Sequence, residues 1–307
     1  IKGDNDHTKL IAMLNDLNDY SVPMSEILGK YFDTENIAYW MAFQLLTGNI
    51  DTQNRNVYLY SPTNSDTFYL LDWDNDGMLM RKEYEIRQRA DGQSWENGIS
   101  NYWGNILLRR CLQTKSFRTA LDKAVNDEYK YMSAGRINSM VRQYRSIVEP
   151  YVQKMPDSMH EPLTSSQYDT VADQLHSEIE QNYQTYQTGF NKPMPFYIGK
   201  PTPANGKLRL NWDVAYDFND EDLRYAVTVS KDYAGDDVVF SQRDVVLPEA
   251  VMDMPDEGQY FIKVSVRNAS GYTQDAFDHY ITDGNKIYGT KCFYVKADGS
   301  IVEDANE

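Results

Sequence analysis

The stretch that decides the fold of this chain is "NIDTQNRNVYLYSPTNSDTFYLLDWDNDG", residues 49–77. It contains two runs of strand-forming residues, "NVYLY" and "TFYLLDW", separated by the polar turn "SPTNSD". Such a pair predicts a β-hairpin. Carboxylates stand before and after the hairpin, at Asp51, Asp72, Asp74 and Asp76. The sequence therefore predicts a polar site at the ends of its strands.

Helical periodicity covers most of the chain up to about residue 190. The segment "DTENIAYWMAFQLLTGN", residues 33–49, has the clearest ends, because Asp33 or Thr34 can cap its start and Gly48 suits its C-terminal cap. Later segments share the period: "NYWGNILLRRCLQ", "SFRTALDKAVNDEYKYM", "AGRINSMVRQYRSIVEPYV" and "QYDTVADQLHSEIEQNYQTYQTGF". We expect a mainly helical first domain, residues 1–192.

The composition changes at "NKPMPFYIGKPTPANG", a Pro- and Gly-rich segment that suits a linker. Short strand-like runs follow: "KLRLNWDV", "LRYAVTVS", "DVVFSQ", "GQYFIKVSVRN", "DAFDHYIT" and "KCFYV". Regularly spaced strands with turns between them predict a β-sandwich for residues 193–307. Trp212, Tyr225 and Tyr260, the last at a tyrosine-corner position, resemble the fibronectin type III pattern, and a generic immunoglobulin-like sandwich is the alternative. The expected fold class is α+β with two domains.

Charge and composition narrow the classes of function. The formal net charge of −16 argues against a nucleic-acid partner, since phosphates require a basic surface. No apolar run approaches the roughly 18 residues of a transmembrane helix. Cys111 and Cys292 are far apart, and we expect two buried free thiols rather than a disulfide or metal framework. The sequence begins at Ile1 rather than Met, which favours a trimmed segment.

The spacing of the acids points to phosphoryl transfer. Asp51 precedes Asn56 by five positions, the interval between the catalytic Asp and a magnesium-binding Asn in protein kinases. In protein kinases a metal-binding Asp follows this Asn later in the sequence, and here the hairpin acids follow Asn56 in the same order. The H-R-D and D-F-G triplets themselves are absent. The chemistry needs oxygen ligands for Mg²⁺ and a group that accepts the hydroxyl proton. We predict Asp51 as that group, and as metal ligands Asn56, Asp74, Asp76 and Asp72.

"NIDTQNRNVYLY" followed by "FYLLDWDND" resembles the spore-coat protein H (CotH) family of atypical protein kinases. The family typically has a D-x4-N loop, a "YLY" strand and a W-D-x-D hairpin end, which match Asp51, Asn56 and the acids after Trp73. The strong match covers roughly residues 33–80, and the later helices fit the family's C-terminal lobe only loosely. The resemblance implies phosphorylation of Ser in secreted or coat proteins with ATP and Mg²⁺ or Mn²⁺, by a bacterial protein that is secreted or at the cell surface.

Under this resemblance Asp51 is the catalytic aspartate, and Asn56 and Asp74 are metal ligands. Kinases hold ATP under a β-rich N-terminal lobe that carries a phosphate-binding lysine. The residues before Asp51 are predicted as helix, and their glycines are too scattered for a phosphate loop. We expect the nucleotide-binding half to lie outside this sequence, which would make the chain an incomplete kinase.

Two alternatives stay open for the acidic hairpin end. Residues 72–83 satisfy the calcium-loop pattern D-x-[DN]-x-[DN]-G-x5-E, with Glu83 as the last ligand and Leu79 at the apolar position. The acids also fit a solvated loop without a metal. For the whole protein, the alternative is a non-catalytic surface binding or assembly protein with a vestigial kinase lobe. Either function requires a protein partner, as Ser acceptor or as surface partner.

Overall fold

The chain folds into two compact units of different class. The structure, a computed structural model, describes residues 6–53, 55–160 and 163–303. One unit comprises residues 1–88 and 101–187, and the other residues 89–100 and 188–307. The first is mainly helical with one hairpin and the second is built of antiparallel strands, so the predicted α+β class is confirmed. Among the helices of the described ranges, none combines the length and the apolar composition that a membrane span requires.

The helices form where the sequence has apolar residues at helical spacing. Their bounds are α1 (Thr8–Asn18), α2 (Met24–Tyr31), α3 (Thr34–Thr47), α4 (Arg81–Ile86), α5 (Ile106–Gln113), α6 (Lys115–Tyr131), α7 (Ala134–Val152) and α8 (Ser165–Gly189). Short 3-10 helices cover Ile50–Thr52, Asn75–Gly77, Gly98–Tyr102 and Asp157–Met159. Cys111 on α5 and Cys292 are both buried thiols, as predicted, and neither takes part in a disulfide.

Helix α3 is largely enclosed by the first unit. The Asp33 carboxylate accepts a hydrogen bond from the backbone N of Asn36, and Gly48 ends the helix at φ 63°. Ile37 and Met41 are completely buried, and α3 packs along α6. A helix that is apolar on most sides is stable only when enclosed in this way. Both predicted caps are confirmed.

The predicted hairpin is formed by β1 (Val57–Tyr60) and β2 (Tyr69–Asp72), which pair antiparallel with Val57 opposite Asp72. The Asn36 side chain on α3 accepts a hydrogen bond from the backbone N of Leu70 and donates one to its carbonyl, at 2.7 and 3.1 Å. Leu70 is buried. One residue of α3 thus fixes the position of β2, and the hairpin ends lie beside the C-terminus of α3.

The second unit is a β-sandwich, as predicted. Its strands are β3 (Thr202–Ala204), β4 (Lys207–Asn211), β5 (Arg224–Ser230), β6 (Val238–Val245), β7 (Glu249–Asp253), β8 (Gly258–Arg267), β9 (Thr273–Asp275), β10 (His279–Thr282), β11 (Asn285–Tyr288), β12 (Thr290–Val295) and β13 (Ile301–Glu303). One sheet has the order β13-β12-β8-β5-β6 with β9 on β8, a second has the order β3-β4-β7, and β10 and β11 form a separate two-stranded sheet. Alternate residues of these strands form one buried core.

The immunoglobulin- or fibronectin-like character rests on two contacts. The Tyr260 hydroxyl donates a hydrogen bond to the backbone carbonyl of Asp256 at 3.0 Å, which is the bond of a tyrosine corner. The rings of Trp212 and Tyr225 lie 5.5 Å apart in the core. Both aromatic residues are buried, so they stabilise the sandwich rather than serve a site.

Residues 89–100 belong to the second unit, although helices of the first unit precede and follow them. Trp95 is buried with its ring edge-on to Phe277 and Tyr288, at 5.3 and 5.9 Å. Buried Glu96 accepts hydrogen bonds from the Lys286 ammonium and the Tyr288 hydroxyl, at 2.6 and 2.7 Å. These contacts are long-range, and no local pattern in the segment predicts them.

Candidate active site

The loop after α3 carries Asp51. Gly48 is in the left-handed conformation, which turns the chain out of the helix, and a Cβ there would lie 2.8 Å from the Asn182 amide nitrogen. Asn49 follows with its side chain buried, and its Oδ1 accepts a hydrogen bond from the backbone N of Asp51 at 3.4 Å. This bond starts the 3-10 turn Ile50–Thr52 and leaves the Asp51 carboxylate partly exposed.

The backbone of this loop is held by residues around the start of α5. Tyr102, which is buried, donates its hydroxyl hydrogen to the carbonyl of Asn49 at 3.1 Å. Asn101 donates to the next carbonyl at 3.2 Å, and Asn105 donates to that of Gln53 at 2.9 Å. Three side-chain donors therefore fix successive parts of the loop, which gives Asp51 a defined position.

The far end of the hairpin meets this loop. After β2 the chain passes through Asp74, whose φ is 55°, into the 3-10 turn Asn75–Gly77. The Asn49 amide donates a hydrogen bond to Oδ1 of Asn75 at 3.2 Å. A Cβ placed on Gly77 would lie 3.3 Å from Asn49 Oδ1 and 3.5 Å from Asp51 Oδ2. The turn that follows Asp74 and contains Asp76 therefore passes close to Asp51 at Gly77.

An arginine that sequence reasoning missed also belongs to this site. Arg55 donates a hydrogen bond to Oδ1 of Asp51 at 2.9 Å. Its side chain is 72% exposed, so the guanidinium is free to move towards a ligand anion. An Arg near a phosphoryl-transfer centre can neutralise charge that develops on the phosphate.

The predicted metal ligands differ in backbone conformation and in exposure. Asn56 lies next to Arg55 with φ 58°, and Asp74 also has a left-handed backbone. Asp74 and Asp76 are exposed at the hairpin end, and Gly77, which follows them, lies close to Asp51. Amide and carboxylate oxygens of this kind suit Mg²⁺, which needs few protein ligands when waters and phosphates complete its shell. Within the described residues, no group of three or more His, Cys, Asp or Glu side chains is arranged to hold a metal ion.

Asp72 lies on a different side of β2 from its neighbours in sequence. The Gln44 amide donates a hydrogen bond to Oδ1 of Asp72 at 2.8 Å. Asp72 and Glu128 of α6 line a cavity of about 280 Å³ together with Tyr39, Trp40 and other residues of α3. Burial raises the pKa of Asp72, and the Gln44 hydrogen bond partly offsets it. As a metal ligand, Asp72 stays a prediction.

Glu128 has the most perturbed carboxyl group near the hairpin. Burial first, and the Asp72 charge second, raise its pKa to about 8. Its Oε2 is buried and forms no hydrogen bond. Both causes favour the protonated form, so this pair of acids is the part of the cavity most sensitive to pH.

The ends of the calcium-loop pattern are occupied by other partners. Glu83 lies in α4 and binds Arg87 at 2.8 Å, while Asp72 lies on β2 and binds Gln44. The backbone N of Leu79 donates to the carbonyl of Thr47 at 2.8 Å, which holds the segment after Gly77 against the end of α3. These contacts favour a turn organised around the α3 loop.

The comparisons with known proteins bear on the first unit. A family model described as "CotH kinase protein" matches residues 1–186. The matched range contains the α3 loop, the hairpin and helices α1 to α7, and ends within α8. No curated protein matches the chain.

Proposed function

Because this chain belongs to the CotH kinase family, we propose that it transfers the γ-phosphoryl group of ATP to a serine hydroxyl of a secreted or surface protein, with Mg²⁺ or Mn²⁺. The observation that carries the proposal is the contact between the Asp51 loop and the turn Asn75–Gly77. The candidate proton acceptor lies on the Asp51 loop, and Asp74 and Asp76 lie at the turn Asn75–Gly77. The hydrogen bond from Asn49 to Asn75 joins these two segments.

The residues divide the chemistry between them. Asp51 orients the acceptor serine and takes its hydroxyl proton as the oxygen forms a bond to the γ-phosphorus. The bond to the leaving oxygen of ADP breaks in the same transfer. Asn56, Asp74 and Asp76 would hold the metal, which would neutralise charge on the phosphates. Arg55 leaves its ion pair with Asp51 and binds a phosphate oxygen when the nucleotide is present.

Rigid support of the loops explains how such a site reaches useful geometry. Phosphoryl transfer depends mostly on positioning and charge stabilisation. Asn49 is the residue that connects the two segments, since it bonds both Asp51 and Asn75. Asn49 is 1% exposed, so it supports the site from the protein interior and does not contact a substrate.

Isothermal titration calorimetry with Mg²⁺, Mn²⁺ and Ca²⁺ tests the metal part of this proposal. We expect binding of Mg²⁺ or Mn²⁺ that Asp74→Ala abolishes and that Asp157→Ala, an exposed acid at another 3-10 turn, leaves unchanged. Absence of binding with all of these ions would refute the metal site. Ca²⁺ selectivity that depends on Glu83 would establish the calcium loop instead.

A non-catalytic binding or assembly protein is the second candidate function. The observation that favours it is the Asp51–Arg55 ion pair, because a proton acceptor engaged by an arginine is not free for substrate. Arg55→Ala distinguishes the two functions in the full-length protein. A kinase loses transfer rate when Arg55 is removed, whereas a binding protein shows no transfer with or without it.

A further inference from the structure

A basic groove crosses the outer face of the larger sheet of the sandwich. It has a volume of about 460 Å³ and lies over strands β5, β6, β8 and β9. The charged residues that line it are Arg224, Arg243, Lys263, Arg267 and Asp244. Four of these side chains are basic and one is acidic, so the groove is locally positive although the formal net charge of the chain is −16.

The groove has a floor of small side chains. Ala226 and Thr228 of β5 and Ser265 of β8 line it, and they face outward in alternation with buried residues. Ala226 is paired directly with Ser265. Arg224 and Arg267 lie at one end of these small side chains and Lys263 at the other. The small residues between them form a trough that runs along the strands.

The register puts like charges opposite each other at one end. Arg224 of β5 is paired with Arg267 of β8, and such directly opposed charges destabilise a sheet. Asp244 binds Arg267 at 3.1 Å. Among the described residues, no acid forms an ion pair with Arg224, Arg243 or Lys263, so three cations of the groove have no fixed counter-charge. An anion bound between Arg224 and Arg267 would relieve this repulsion.

The second cationic position lies at a defined distance along the same strands. Lys263 is paired with Thr228, four residues from the Arg224–Arg267 pair. At about 3.3 Å per residue this separation is about 13 Å. An extended peptide lying along the strands has the same repeat, so acidic side chains at positions i and i+4 of that peptide reach both ends of the trough.

We propose that this groove binds an acidic peptide segment in extended conformation. Carboxylates of the peptide pair with Arg224 and Arg267 at one end and with Lys263 at the other, and its backbone lies over Ala226 and Ser265. The proposal concerns the second unit alone and is independent of phosphoryl transfer in the first.

Fluorescence anisotropy with a labelled peptide of six Glu-Thr repeats tests the proposal on the full chain. We expect saturable binding that weakens as salt is raised, and a loss of about tenfold or more in affinity for Arg224→Ala combined with Lys263→Ala. Ser265→Tyr fills the trough without changing charge, and we expect it to weaken binding as well. Lys207→Ala, on the other sheet, removes a positive charge outside the groove and should leave the affinity unchanged.

Several results would overturn the proposal. These are absence of binding to the unaltered chain, equal loss for Lys207→Ala, and unchanged affinity of Ser265→Tyr, which would mean unspecific charge attraction. Tighter binding of an oligogalacturonate of equal charge would identify a polysaccharide as the occupant and refute the peptide. All the replaced side chains are at least partly exposed, so we expect each variant to fold. Thermal unfolding of each variant checks this.

Discussion

The Asn49 amide donates a hydrogen bond to Oδ1 of Asn75 at 3.2 Å, and this bond joins the loop that carries Asp51 to the turn after Asp74. The same Asn49 side chain accepts the backbone N of Asp51. The two halves of the candidate site are therefore positioned by one buried amide, although Asn49 and Asn75 are 26 positions apart in sequence.

Replacing that amide should loosen both segments at once. We expect Asn49→Ala to lower the free energy of unfolding of the first unit by about 1–3 kcal/mol, because it leaves buried polar groups without partners. It should also weaken Mg²⁺ binding. Chemical denaturation and calorimetry measure the two effects. Asn138→Ala on the exposed surface of α7 is the matched control, and equal behaviour of the two variants would contradict the role of Asn49.

Gly77 is required by close approach rather than by its backbone angles. The methyl group of Gly77→Ala would lie 3.3 Å from Asn49 Oδ1 and 3.5 Å from Asp51 Oδ2. We expect the variant to remain folded but to bind Mg²⁺ and transfer phosphate less well, because those oxygens are displaced. Gly29→Ala in α2 meets no atom within 4 Å and should gain stability by up to about 1 kcal/mol. A Gly77→Ala protein with unaltered metal affinity would refute this contact as a functional one.

The Glu128 carboxyl should make the first unit less stable at high pH. Its pKa is raised to about 8 from an ordinary 4.5, by burial and then by Asp72. The folded state therefore binds the proton more tightly, and stability falls as pH rises between those two values. We expect the melting temperature to decrease from pH 5 to pH 9, and to decrease less in Glu128→Gln. Glu180→Gln, an exposed acid on α8, should follow the unaltered protein. Identical pH profiles for all three would contradict the assignment.

Trp95 should stabilise the second unit although it lies between helices of the first in sequence. Its ring is buried against Phe277 and Tyr288, so we expect Trp95→Ala to cost about 3–5 kcal/mol. Differential scanning calorimetry should show the transition of the sandwich lowered. Trp73→Ala removes a ring that is 55% exposed and should cost less than about 1 kcal/mol. Equal losses for the two would mean that residues 89–100 do not belong to the sandwich core.

The elements with strong local signals could be predicted from the sequence. Helix α3 has a capping Asp33, a terminal Gly48 and apolar residues at helical spacing, and the hairpin has two strand-forming runs around a polar turn. The segment around Trp95 and the strand β7 (Glu249–Asp253) could not be found in this way. Their positions depend on long-range packing, which neither periodicity nor turn residues indicate.

The candidate site was predictable only in part. The spacing of Asp51 and the hairpin acids points to both segments, but nothing in the motif indicates that Asn49 joins them. Spacing alone puts Asp72 in one group with Asp74. Strand alternation offers a different signal, because it puts Asp72 on the same side of β2 as buried Leu70, and there it meets Gln44. The alternation of side chains along β2 therefore indicates the position of Asp72, which the motif does not.

Phosphoryl transfer from ATP to a serine-containing protein by the full-length protein tests the central claim most directly. We expect Asp51→Asn to lower the transfer rate by about 10²–10⁴-fold while nucleotide binding persists, because the proton acceptor is lost and the metal ligands are kept. Asp74→Ala should abolish both binding and transfer. Full transfer by Asp51→Asn would contradict the assignment of Asp51 as the catalytic aspartate, and with it this account of the site.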